Sequence, residues 1–174
     1  KDILSNYKGE EPLSSFLRKY FSTNKKYGSK DRKQISNLCY CFFRLGKATM
    51  ELSAKERILT GLFLFSVNGN ELLKELRPEW NEKAGLPPGE KASIAGIDLA
   101  TVFPWEEELS ETIDHESFNL SFFVQPDLFL RIRPSHKDQV ISKLVKQGQE
   151  YEFIPPAALR LSQGFKADEH ISLN

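Results

Sequence analysis

The first part of the chain places apolar residues three or four positions apart, the spacing of one face of a helix. Across residues 10–23 these positions are Leu13, Phe16, Leu17 and Tyr20. Pro12 suits the first turn of this helix, and residues 24–28 follow as a loop. A second helix is predicted from an N-cap at Ser29 to about residue 45, where Gly46 gives a C-terminal stop.

Shorter helices are predicted further along the chain. They cover residues 53–69, 70–76, 78–84, 89–101 and about 115–123. Ser53 caps the first of them, and Pro78 separates the second from the third. The stretch LPPGEK (86–91) is predicted as a turn. The remainder of residues 102–126 is interpreted as a bridging stretch.

The pattern changes after residue 126. Residues 127–133, DLFLRIR, alternate in the manner of a strand, and two further strands are predicted at 151–155 and 158–162. A helix is predicted between them at 135–148. Its inward positions are predicted to be Val140, Ile141, Leu144 and Val145. The chain is therefore expected to be mostly α, with a bundle at 1–112, a bridge at 113–126 and a small α+β module of β-α-β-β order at 127–174.

The composition predicts a folded chain. Of the 174 residues, 40% are hydrophobic and 13 are Phe, which is enough for a sizeable core. No apolar run approaches the ~18 residues of a membrane-spanning helix, and the start lacks the apolar region of a signal peptide. Two cysteines are too few for a disulfide framework. We therefore expect a cytoplasmic chain without a membrane partner, cut from a longer protein because it opens without Met.

The formal net charge is zero, yet the charges are unevenly placed. Residues 17–47 contain nine bases and one acid, whereas residues 98–119 contain seven acids and neither Lys nor Arg. This asymmetry favours a polyanionic partner for the first segment. The alternatives are that the two segments face each other or that both are solvated surfaces.

On a helical projection of residues 29–46, the basic residues divide between two positions. The apolar stripe is formed by Ile35, Leu38, Cys39 and Phe42. Lys30, Lys33 and Arg44 lie opposite it and can face a ligand, together with Lys25 and Lys26 of the preceding loop. The free N–H groups at the start of the helix also favour an anion. Arg32 borders the stripe and is predicted to be structural, covering the core and pairing with a carboxylate.

Motifs of catalysis and metal binding are not found in the sequence. Cys39 and Cys41 point to different sides of their helix, and the three histidines are scattered, so no metal site is expected. No phosphate-binding glycine loop and no nucleophile–base arrangement stands out. The run Glu106–Glu108 is interpreted as solvated surface. The residues therefore predict no catalytic site in this chain.

Two segments resemble a known family. YFSTNKKYGSKDRKQISNLCYCFFRLG (20–46) is similar to the NusB-like helical N-terminal domain of RsmB (Sun/Fmu-type) ribosomal RNA cytosine-5 methyltransferases, with Asp31-Arg32 opening a helix and Tyr40 to Arg44 closing it. The second segment, VQPDLFLRIRPSHKDQVISKLVKQG (124–148), is similar to the small module that follows in that family. The resemblance implies that this part of the chain forms a partial ferredoxin-like unit. Arg131 matches its Leu-Arg position, and Arg133 stands where many members have Asn.

The resemblance implies a parent enzyme that transfers a methyl group from S-adenosylmethionine to carbon 5 of a cytosine in RNA. Its catalytic cysteines and cofactor-binding acids would lie in a Rossmann-like domain after residue 174, so no cofactor is expected in this chain. The chain would then position ribosomal RNA, with Arg131 and Arg133 as further RNA contacts on one face of a strand. Two alternatives remain open. One is a stand-alone NusB-like RNA-binding module, and the other is a protein-interaction scaffold with an acidic face.

Overall fold

The computed structural model describes residues 2–162 and 165–171, which form two compact units. The first unit ends at Val124 and the second begins at Gln125. The first is helical, and the second contains a three-stranded antiparallel sheet. The segment 113–124, interpreted above as a bridge, is part of the first unit.

The helices of the first unit follow the predicted order. They are α1 (Asp2–Asn6), α2 (Leu13–Thr23), α3 (Ser29–Arg44), α4 (Ala54–Phe65), α5 (Glu71–Leu76), α6 (Pro78–Glu82), α7 (Pro88–Ala95) and α8 (His115–Ser121). Single 3-10 turns lie at Leu99–Thr101 and Glu106–Glu108. The cap at Ser53 is confirmed, because its side chain accepts the N–H of Glu56 at 3.2 Å. Helix α4 ends at Phe65, earlier than predicted.

Helix α3 begins differently from the prediction. Gly28 is its N-cap and Ser29 is already helical, so the cap assigned to Ser29 was wrong. The Asp31 carboxylate accepts the N–H of Gly28 at 3.1 Å, which favours this earlier start. At the other end, Gly46 has a φ of 51°, and a Cβ there would collide with the carbonyl oxygen of Val102. Gly46 is thus confirmed as the stop.

Helix α7 begins at Pro88, one residue before the helix predicted at 89–101, so the turn predicted at LPPGEK (86–91) is confined to its first two residues. A proline at the first helical position loses no hydrogen bond and already has a helical φ, so Pro88 starts the helix instead of preventing it, with Pro87 as the N-cap. The helix ends at Ala95, earlier than predicted, and its C-cap Gly96 has a φ of 68°, in the left-handed region.

Helices α3 and α4 pack closely in the first unit. Gly61 of α4 lies against the backbone of Cys41, and a Cβ at Gly61 would collide with the Cys41 carbonyl. Cys41 is fully buried in a cluster with Leu62, Phe63 and Leu73. Trp80 of α6 stacks on Phe63 with ring centroids 4.9 Å apart. The close contact between Gly61 and the Cys41 backbone fixes the C-terminal half of α3 against α4.

The second unit has the β-α-β-β order that the sequence predicts. Its elements are β1 (Leu128–Arg131), α9 (Lys137–Lys146), β2 (Tyr151–Ile154), β3 (Ala158–Leu161) and α10 (Ala167–His170), with a 3-10 turn at Pro134–His136. The strand order is β1-β3-β2, with both pairings antiparallel. Val140 and Leu144 are buried against the sheet, but Val145 is 61% exposed, so its predicted inward position was wrong.

Candidate nucleic-acid interface

The loop between α2 and α3 and the first turns of α3 carry four exposed lysines, which we call the lysine surface. They are Lys25, Lys26, Lys30 and Lys33. Among the residues that the structure describes, none of these four ammonium groups has a carboxylate within 4.0 Å. The Lys26 ammonium lies 5.2 Å from the centroid of the Tyr27 ring. The surface therefore presents four charges that the described part of the chain does not neutralise.

Tyr27 and Arg32 hold the loop of the lysine surface against the core. The Tyr27 ring packs edge-on against buried Phe21, with centroids 5.9 Å apart. Arg32 Nε donates a hydrogen bond to the Tyr27 carbonyl at 2.8 Å, and its guanidinium lies over the Phe21 ring. Arg32 covers the core as predicted, but its partner is this backbone carbonyl, so the expected carboxylate pairing was wrong.

Arg44 is placed differently from the lysines. Its guanidinium lies 3.6 Å from the centroid of Phe65, and partial burial lowers its pKa. Arg44 was predicted to be able to face a ligand together with Lys30 and Lys33, and the structure places it half-buried on Phe65 instead of exposed like these lysines. The reason is that α4 covers the polar face of α3 from Cys41 onward, where Gly61 brings the two backbones together. Only the first half of that face is open.

The acidic segment is the stretch of seven acids within residues 98–119. Its 3-10 turn Glu106–Glu108 is exposed, and Glu106 lies 3.9 Å from the His115 ring nitrogen Nδ1. The other ring nitrogen of His115 lies 2.6 Å from the Phe103 carbonyl. Asp114 caps α8, and the hydrogen bonds that it accepts from Ser117 lower its pKa. Within the described residues, no ion pair joins this segment to the lysine surface.

The second unit exposes both of the arginines that the sequence singles out. Arg131 is the last residue of β1, while Arg133 follows the strand and precedes the 3-10 turn. Burial still alternates through this stretch, with Ile132 buried between them. The neighbouring Arg160 on β3 is held by Asp127 at 2.6 Å and Glu152 at 3.1 Å.

The cysteines and acids form no reactive cluster in the described residues. Cys39 and Cys41 are both free and buried, and burial raises the pKa of the Cys41 thiol to about 11. Over the ranges 2–162 and 165–171, no group of three or more His, Cys, Asp or Glu side chains could hold a metal ion. In the same ranges, no helix combines the length and apolar character that crossing a bilayer requires.

Sequence reasoning missed a groove beside the lysine surface. It has a volume of about 410 Å³, and its polar walls include Gln34 and Asn37 of α3 and Glu71 of α5. The signal was present, because Gln34 and Asn37 fall on the helix face of Lys30 and Lys33. The groove itself depends on where α4 ends, which the helical projection does not show.

No family model, curated protein or solved structure matches this chain.

Proposed function

We propose that this chain binds structured RNA through the lysine surface. The observation that carries the proposal is the set of four exposed lysines at the start of a packed helix, none of them paired with an acid in the described residues. Lysines that neutralise phosphates release counterions, and this release supplies most of the affinity of sequence-independent binding. Contacts from a firmly held loop and helix also fix the register of the bound strand.

The motif resemblance makes the proposal more specific. We propose that the RNA is ribosomal and that the chain is the substrate-positioning N-terminal part of a cytoplasmic RNA cytosine-5 methyltransferase of the RsmB type. The exposed Arg131 and Arg133 are proposed as additional phosphate contacts from the second unit. Arg44 is the weakest of the candidates, because its guanidinium already stacks on Phe65.

We propose that S-adenosylmethionine binds outside this chain. Methyltransferases of the proposed type hold that cofactor on a parallel sheet with a glycine-rich strand-to-helix turn. The sheet described here is antiparallel and three-stranded. We assign no residue of this chain to the cofactor or to catalysis, and the proposed role is limited to holding RNA for a catalytic domain of the same polypeptide.

The test is a salt titration of RNA binding. A fluorescent ribosomal RNA hairpin is titrated with the chain at salt concentrations from about 50 to about 200 mM. Over this range the affinity falls steeply when several phosphates are contacted. The four lysines alone predict a slope of log K against log salt of about −3, since each contributes about 0.7–0.9, and contacts from Arg131 and Arg133 would make it steeper. Absent or salt-insensitive binding would overturn the proposal and favour the scaffold with an acidic face.

The coding sequence beyond residue 174 separates the enzyme from the stand-alone RNA-binding module. A cofactor domain with a Pro-Cys motif would support the methyltransferase proposal. A stop codon directly after residue 174 would support the stand-alone module, while leaving the RNA-binding proposal in place.

A further inference from the structure

The groove beside the lysine surface has an apolar floor and polar walls. Leu38, Phe65 and Leu72 are half-buried and form part of the floor. Gln34 and Asn37 of α3 and Glu71 of α5 form the exposed polar lining of the groove. At about 410 Å³ the groove is large enough for a flat heterocycle with its solvent. Its composition differs from the lysine surface, which offers only cations.

The groove continues the lysine surface along a single helix face. Gln34 is four residues after Lys30, and Asn37 is four residues after Lys33. Residues at this spacing are surface neighbours, with Cβ atoms about 5–6 Å apart. A strand whose phosphates rest on the two lysines therefore passes directly beside the mouth of the groove.

The rim of the groove is held in place by hydrogen bonds. The buried Lys91 ammonium donates to the Ser66 carbonyl at 2.6 Å. The N–H of Asn70 donates to the Asn81 side chain at 2.7 Å, and the Asn70 amide donates to Ser66 Oγ at 3.2 Å. The Arg44 guanidinium backs the Phe65 ring at 3.6 Å. The groove is thus preformed, which lowers the entropy lost when a ligand binds.

The polar groups on the walls are available to a ligand. Among the described residues, the side-chain amides of Gln34 and Asn37 have no hydrogen-bond partner, and the Glu71 carboxylate has no cation within 4.0 Å. An amide offers a donor and an acceptor together, whereas a carboxylate only accepts. This is the donor and acceptor pattern that reads the edge of a nucleobase, and a carboxylate selects an exocyclic amino group.

We propose that the groove binds one unpaired base that carries an exocyclic amino group, taken from the RNA strand that the lysine surface holds. This inference rests on the proposed RNA binding and deepens it. The apolar lining, which includes the Phe65 ring, receives the unstacked base, as in the recognition of single-stranded RNA. The Glu71 carboxylate repels phosphate, so phosphates stay on the lysines and the base enters the groove. Uracil has no amino group to donate and is disfavoured.

The test compares short single-stranded oligomers of cytidine, adenosine and uridine by fluorescence anisotropy at one salt concentration. The wild-type chain is expected to bind the cytidine or the adenosine oligomer at least about fivefold more tightly than the uridine oligomer. Gln34→Ala with Asn37→Ala is expected to remove most of this preference. Gln139→Ala is the matched control, because Gln139 is an exposed helical amide of the second unit. The melting temperature of each variant checks that the fold is kept.

A second variant tests the carboxylate by itself. Glu71→Gln keeps the size of the side chain but adds a donor, so binding of the uridine oligomer is expected to rise toward that of the others. Equal binding of all three oligomers by the wild-type chain would overturn the groove proposal and leave the lysine surface intact. Failure of every oligomer and of the ribosomal hairpin to bind would overturn both proposals.

Discussion

Gly61 of α4 touches the backbone of Cys41 in α3, with no room for a side chain between them. This contact buries Cys41 completely, although a helical projection puts it on the polar side of α3. It also sets the limit of the lysine surface, because the same face is open at Lys30 and Lys33 and covered from Cys41 onward. A single glycine on one helix thus decides which bases of another helix can reach a ligand.

Replacement of Gly61 by alanine is expected to destabilise the fold. Alanine in a helix interior is normally about 1 kcal/mol better than glycine. Here its methyl group would collide with the Cys41 carbonyl, and overpacking of this kind costs about 1–3 kcal/mol. Urea denaturation measures the difference. The control is Gly89→Ala, whose Cβ would meet only Leu120 at 4.0 Å and should leave stability unchanged or slightly higher. A Gly61→Ala variant as stable as Gly89→Ala would contradict the close packing of α3 and α4.

Arg57 is expected to contribute far more to stability than Arg77, which forms an ion pair with Glu56. Its guanidinium is buried and donates to the carbonyl of Ala48 at 2.9 Å and of Gly46 at 3.2 Å. Arg57→Met leaves both carbonyls without these donors and should lower the free energy of unfolding by about 2–4 kcal/mol. Arg77→Met removes the half-exposed pair with Glu56, a 3.3 Å hydrogen bond to the Leu76 carbonyl and a contact with the Trp80 ring, and should cost about 1 kcal/mol or less. Equal losses for the two variants would show that Arg57 is not the anchor of the turn after α3.

The Cys41 thiol is expected to make the fold sensitive to alkaline pH. Burial raises the pKa of Cys41 from 9.0 to about 11, so the unfolded chain loses this proton first as the pH rises. The resulting stability is complete below pH 9 and is lost as the pH passes through 11, by up to about 3 kcal/mol. Cys41→Ala lacks this titration, and the difference between its pH–stability curve and that of the wild-type chain isolates it. Parallel curves from pH 8 to about 11 would contradict the assigned burial.

Arg32 is expected to act on the fold rather than on RNA. Its Nε donates a hydrogen bond to the Tyr27 carbonyl, which holds the loop that carries Lys25 and Lys26. Arg32→Ala should lower the free energy of unfolding by about 1 kcal/mol, and hairpin affinity measured well below the melting temperature should change little. Thermal denaturation and anisotropy measured on the same sample give both quantities. A loss of RNA affinity at unchanged stability would reverse the division between Arg32 and the lysines.

Local patterns predicted the order of most helices and of the strands, and the position of Arg32 beside the core. The helical spacing around Phe16 and the alternation around Leu130 are properties of neighbouring residues, so the sequence shows them directly. The burial of Cys41 and the stacking of Arg44 on Phe65 depend instead on the approach of α4, about twenty residues away. The groove depends on the same approach. The sequence therefore shows the residue types that line the groove, but it does not show that the fold brings them together.

The central claim is that the lysine surface binds RNA through phosphates, and one pair of charge reversals tests it most directly. Lys30→Glu with Lys33→Glu is compared with Lys55→Glu with Lys83→Glu. Both pairs are exposed lysines of the first unit, and none of the four forms an ion pair with a residue that the structure describes. The measurement is the slope of log K against log salt for the ribosomal hairpin.

We expect the first pair to weaken binding and to flatten the slope by about 0.7–0.9 for each lysine, at an unchanged melting temperature. The control pair should leave both affinity and slope close to those of the wild-type chain. Equal losses for the two pairs, or no loss for the first, would contradict the account.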